Sequence, residues 1–165
     1  MYYGTASRTY GPPLNVNTAN TCTLSTLSES ATYYFAVTAY DTSGNESGFS
    51  TEVSKTLIDG INPVVALSSP TSGGSYATGA SPLTVKGTAT DNVGVTRVAW
   101  SNDRGGSGTG SGTGSWTAGS IALSEGTNTL TFTAEDVAGN RGSRSLTVTY
   151  TAPVQVSSDQ VAPTV

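Results

Sequence analysis

The sequence predicts an all-β protein, built as two tandem antiparallel β-sandwiches, and three observations carry that prediction. Apolar residues recur at period two and nowhere at the helical period. The alternating runs are bounded by Gly, Asn, Asp and Pro, the residues that end strands. A strand-and-turn unit also occurs twice, as Thr38-Ala39-Tyr40-Asp41-Thr42-Ser43-Gly44-Asn45 and as Thr133-Ala134-Glu135-Asp136-Val137-Ala138-Gly139-Asn140. A device repeated in this way implies two modules of similar build, and 165 residues have room for them, since one sandwich takes ~100.

Taken in order, residues 32–40 place Tyr33, Phe35, Val37 and Ala39 on one face and leave Tyr34 and Tyr40 on the other. Further along, Leu83, Val85 and Gly87 alternate, as do Thr96, Val98 and Trp100, which turns Trp100 toward the core. Leu130, Phe132 and Ala134 oppose Thr129, Thr131 and Thr133, and Leu146, Val148 and Tyr150 repeat the pattern. Such strands are apolar on one face and Thr-rich on the other, as in antiparallel sandwiches. The expected division is a first module over 1–58, a linker at 59–62, a second module over 63–151 and a tail at 152–165. The Gly-rich run 104–114 reads as a loop or edge strand, because no Lys and no strand-to-helix context follow to make a phosphate loop.

In each repeated turn the Asp, Asp41 or Asp136, accepts hydrogen bonds from the backbone it opens, and Gly44 or Gly139 supplies positive φ. A cation site is the competing reading of these carboxylates. Two or three isolated acids are not a loop of regularly spaced oxygen ligands, so no metal or cofactor is expected.

Composition removes several function classes. Seven Lys and Arg stand against eleven Asp and Glu, a net charge of -4 that repels nucleic acid. No run approaches the ~20 apolar residues of a membrane span. With no His and only Cys22, His-based triads and zinc clusters cannot be assembled, and Cys22 in its alternating run reads as a small buried residue. Glu135 and Asp136 point to opposite faces of a strand, and Asp91 and Asp103 flank another at opposite ends, so no pair suits a glycosidase. No enzyme is expected. The start Met1-Tyr2-Tyr3-Gly4 has no basic or apolar region of a signal peptide.

The first module resembles a fibronectin type III domain. Leu27 followed by Tyr33 has the tyrosine-corner spacing, and Tyr-Phe-Ala-Val-Thr-Ala-Tyr-Asp and Ser43-Gly44-Asn45-Glu46-Ser47 follow it. The resemblance covers residues 2 to about 57 and lacks the family's first two strands, which implies that residues 1–57 fold poorly alone. The second module resembles bacterial Ig-like domains, through Pro63, Thr88-Ala89-Thr90-Asp91-Asn92-Val93-Gly94-Val95, Val98-Ala99-Trp100 and Glu125-Gly126-Thr127-Asn128. The tail from Asp159 resembles the opening of a further repeat.

These resemblances imply non-catalytic spacer or adhesive modules of a secreted or cell-surface bacterial protein, whose partners are other domains or copies of the same chain. Leu27, Tyr33, Asp41, Gly44, Trp100, Asp136 and Gly139 are the expected structural residues. Two alternatives accompany that reading. The tail 151–158 alternates and could complete the first module of another copy by strand donation. Trp116, Tyr34 and Tyr40 could instead form a polysaccharide-binding surface.

Overall fold

The structure is a computed structural model that describes residues 1–154. It divides into two compact units, Met1–Gly60 and the chain from Ile61 onward. Among the described residues every regular element is a strand, and no helix is long and apolar enough to cross a membrane.

The first unit holds β1 (Tyr2–Gly4), β2 (Thr32–Ala36) and β3 (Val53–Thr56), antiparallel in the order β1-β2-β3. Tyr33 is buried, and its hydroxyl oxygen accepts the backbone N–H of Ser28 at 2.8 Å. Leu27, next to that donor, is half-buried. Tyr3 stacks on Phe35 with centroids 6.3 Å apart.

The alternation expected through residue 40 stops early. β2 ends at Ala36, and Val37 is 50% exposed. From there hydroxyls replace half of the ladder: Val37 N–H donates to Ser50 Oγ at 3.1 Å and Ala39 N–H to Ser47 Oγ at 2.9 Å, while the Ser50 and Ser47 N–H groups still donate to the Val37 and Ala39 carbonyls at 2.9 and 2.8 Å. Cys22 is exposed rather than buried, because its segment forms no strand that could turn it inward.

The second unit is a two-sheet sandwich. One sheet joins β4 (Val64–Ser69), β6 (Leu83–Thr90) and β9 (Ser115–Ile121) in the order β4-β6-β9. The other joins β5 (Ser75–Thr78), β7 (Val95–Asn102), β8 (Ser107–Thr109), β10 (Gly126–Asp136) and β11 (Arg141–Tyr150) in the order β5-β11-β10-β7-β8. The Gly-rich run thus supplies an edge strand. Its inner faces bury Val85, Ile121, Leu130, Phe132, Ala134, Leu146 and Val148 almost completely.

The central tryptophan of this core is Trp116, not Trp100. Trp116 is 2% exposed and stacks on Phe132 at 5.0 Å, whereas Trp100 is half-buried at the margin of the cluster. Gly87 leaves room for it. A Cβ there would lie 2.4 Å from Trp116 Cζ2 and 2.1 Å from the Ala66 carbonyl oxygen. The indole Nε1 is buried without an acceptor, so this packing carries an unmade hydrogen bond.

At one end, Asn128 is fully buried and fully bonded. Its Oδ1 accepts the Ser124 N–H at 2.9 Å and the Asn102 amide at 3.2 Å, while its Nδ2 donates to Ser124 O and Gly126 O.

Candidate functional site

The two repeated turns are built alike. Asp41 Oδ1 accepts the N–H groups of Ser43 and Asn45, each at 2.9 Å, and its Oδ2 accepts Asn45 Nδ2 at 2.8 Å. Asp136 Oδ1 accepts Asn140 N–H at 2.9 Å and its Oδ2 accepts Asn140 Nδ2 at 2.8 Å. Gly44 and Gly139 have φ of 85° and 91°, the left-handed region that lets each turn close.

The two aspartates differ in surroundings. Asp41 is exposed, and the Asn45 amide and backbone hold its carboxyl below the ordinary 3.8. Asp136 is 2% exposed. Burial pushes its carboxyl up, but the Asn140 amide and the N–H groups of Asn140, Gly139 and Ala138 outweigh that and hold it below 3.8. A turn needs only the first arrangement. Burying the second costs desolvation that the turn does not require.

Asp91 meets Asp136 at this end of the sandwich. β10 pairs with β7 as far as Asp136 and Val95, with a register shift between Glu135 and Asp136. Asp91 directly follows β6, and its Oδ2 accepts Val93 N–H at 2.9 Å and Gly94 N–H at 3.0 Å. Its Oδ1 is buried and makes no hydrogen bond. Carboxylate oxygens of Asp91 and Asp136 lie within 4.8 Å of each other. The arginines beside this end, Arg97 and Arg141, bind Glu135 at 2.9 and 2.7 Å on the opposite face of β10.

The sequence reading paired Asp91 with Asp103 and Asp136 with Glu135, and so missed this pair. The signal available was the reach of the short turn after Asp91 into the strand that pairs with β10.

Among the candidate glycan contacts, Trp116 is corrected. It is sealed between the sheets and has no ring face to offer a sugar. Tyr34 is half-buried in β2. Tyr40 is 62% exposed and borders a groove of about 830 Å³ shared with Tyr2, Leu14, Asn15, Asn17 and Val37. The Glu46 carboxylate beside Tyr40 pushes its phenol up to about 12. Glu46 also accepts the hydroxyls of Tyr2 and Thr38, each at 2.7 Å.

Comparison with known families now decides the kinship of the second unit, because a family profile described as bacterial Ig domain matches residues 63–148. The chain belongs to the bacterial Ig domain family. The match takes in the whole of β4 to β10 and nearly all of β11. Bacterial Ig domains are typically non-catalytic structural modules, common in exported multidomain proteins.

Among solved structures, fibronectin(III)-like modules of Clostridium thermocellum CbhA align at 20% identity and a TM-score of 0.48, over 74% of this chain and 62% of that one. An engineered protein aligns at 23% identity and a TM-score of 0.39, over 58% of this chain and 21% of that one. The chain thus spans less than two thirds of either. No curated protein sequence matches it.

Proposed function

We propose that the chain serves as a non-catalytic spacer and adhesive segment of a secreted or cell-surface bacterial protein, with its Ig module as a rigid unit. The observation that carries this reading is the sandwich of residues 63–148, matched over its whole length by a structural-module family. Its interior is filled by side chains, Trp116 and Phe132 among them. Two of its four arginines, Arg97 and Arg141, are engaged with Glu135. Its partners are neighbouring domains of the parent protein or further copies of the chain, and it acts by holding them at a distance from the surface.

The test is to splice the 165 residues between a bacterial surface anchor and an epitope tag. A spacer raises antibody access to the tag above that of an equally long Gly-Ser linker, since folded modules do not coil as a flexible linker does. Equal access for the two would count against it.

Assembly by strand donation is a second reading, and one observation favours it. Every residue of β3 is exposed, so β3 offers an unguarded edge to another strand. Of the tail 151–158 proposed to fill such an edge, residues 155–158 lie outside the described residues. Light scattering on the full chain and on one ending at Tyr150 tests it. Oligomers that survive dilution and vanish with the tail support donation, and monomers in both cases remove it.

A further inference from the structure

We propose that Glu46 and Glu52 latch the N-terminal hairpin of the first unit, residues 2–11, onto the segment that leads into β3, and that acid releases it while β2 and β3 stay paired. The hairpin runs from β1 through a turn closed by an antiparallel bridge between Ala6 and Thr9, and Gly11 N–H donates to the Tyr3 carbonyl at 2.9 Å. Its ladder to β2 covers three residue pairs, so it needs other fastening. Charge supplies that at the turn. Glu52 Oε1 accepts the Ser7 hydroxyl at 2.7 Å, and its Oε2 accepts the Arg8 N–H at 2.6 Å and the Tyr10 hydroxyl. Arg8 has a φ of 56°, a left-handed conformation that costs a non-glycine residue energy. Glu46 accepts the Tyr2 hydroxyl at 2.7 Å. Phe49, between the two carboxylates in sequence, meets the Tyr2 and Tyr10 rings at 4.9 and 5.3 Å.

The hydrogen bonds of this latch need ionised carboxylates. A carboxylate accepts at every lone pair, whereas the protonated acid turns one oxygen into a donor and loses the charge that strengthens the rest. Tyr2 and Tyr40 face Glu46, with the Met1 ammonium as the nearby cation, and Tyr10 faces Glu52, with Arg8 as its cation. The Tyr2 hydroxyl holds Glu46 below the ordinary 4.5, and the Ser7 hydroxyl does the same for Glu52. The latch therefore contributes above the ordinary carboxyl value and is lost as pH falls through the lower ones. The same carboxylates push the Tyr2 and Tyr10 phenols above 10.0, so alkali that ionises those phenols parts the latch from the other side.

The experiment follows the full chain by NMR from about pH 6 to about pH 3, across the carboxyl range. Gly11 N–H, whose acceptor is a backbone carbonyl, reports the hairpin, since two short strands are not stable once detached. Leu57 N–H, which donates to the Ala31 carbonyl at 2.9 Å, reports the pairing of β2 with β3. The Phe49 ring shifts report its contacts with Tyr2 and Tyr10. The expected result is a roughly tenfold loss of exchange protection at Gly11, with the Phe49 ring moving to the shifts of a free phenylalanine while Leu57 keeps its protection. Tyr10→Phe keeps its ring on Phe49 and loses one bond to Glu52, so its release comes at higher pH. In Glu52→Gln, Gly11 is less protected from the start and responds less to acid. Gly11 and Leu57 losing protection together, Gly11 protection that acid leaves unmoved, or the parent's acid response in Glu52→Gln overturns the proposal.

Discussion

Trp116 lies on Phe132 with centroids 5.0 Å apart and planes inclined by 26°, which joins β9 of one sheet to β10 of the other. Removing an indole from such a site costs roughly 3–5 kcal/mol. Trp116→Ala therefore unfolds the Ig module at much lower urea, read by Trp100 fluorescence. Trp116→Phe loses far less, because it keeps a ring against Phe132 and removes the buried N–H that has no acceptor.

Gly87 faces the same indole. An added methyl meets Trp116 and the Ala66 carbonyl well inside contact distance, and the backbone oxygen cannot rotate away. Gly87→Ala is expected to cost about 1–3 kcal/mol or more, measured by chemical denaturation. Gly114→Ala is the control, since nothing lies within 4 Å of the position its Cβ would take.

Asn128 holds the 122–126 loop through three bonds to Ser124 and Gly126, and its Oδ1 also accepts the Asn102 amide. Replacing it with Leu takes their partner from the half-buried Ser124 N–H and carbonyl and leaves the Asn102 amide only its bond to Ala122, at a cost of roughly 2–4 kcal/mol. Hydrogen exchange at Ser124 N–H should quicken in the variant.

Stability depends on pH at both extremes. Asp41, Asp136, Glu46 and Glu52 are held below their ordinary 3.8 or 4.5 by the hydrogen bonds they accept. A depressed folded value means stability present above the ordinary value and lost as pH falls through the lower one. Midpoints should thus decline below about pH 4. Tyr40 behaves oppositely. Raised from 10.0 to about 12 by Glu46, it favours the folded state below pH 10, and that contribution is lost as pH rises toward 12. In the spectrophotometric titration of the phenols, Tyr40→Phe should remove part of the phase near pH 12.

Much of the second unit was legible because its strands alternate strictly. Leu83, Val85, Leu130, Phe132 and Leu146 face inward as their period demands. Trp116 reads from the sequence more readily as a core residue than as a sugar contact, but its partner was not legible, because it follows a Gly-rich run whose path depends on pairing and periodicity says nothing of a residue's partner across the sandwich. Residues 37–40 misled for another reason. Their pattern is that of a strand, but Ser47 and Ser50 hydroxyls take over half of the ladder there, and Val37 is exposed. The Asp91 and Asp136 pair is tertiary, made by the registers of different strands.

The proposed role is structural, a spacer and adhesive segment rather than an enzyme or a polysaccharide-binding module. Its most direct test is titration of the intact chain against cellulose, chitin, xylan and peptidoglycan, with product analysis on the same samples. Neither turnover nor saturable binding is predicted. Saturable binding that Tyr40→Ala abolishes, or any released product, would contradict the account.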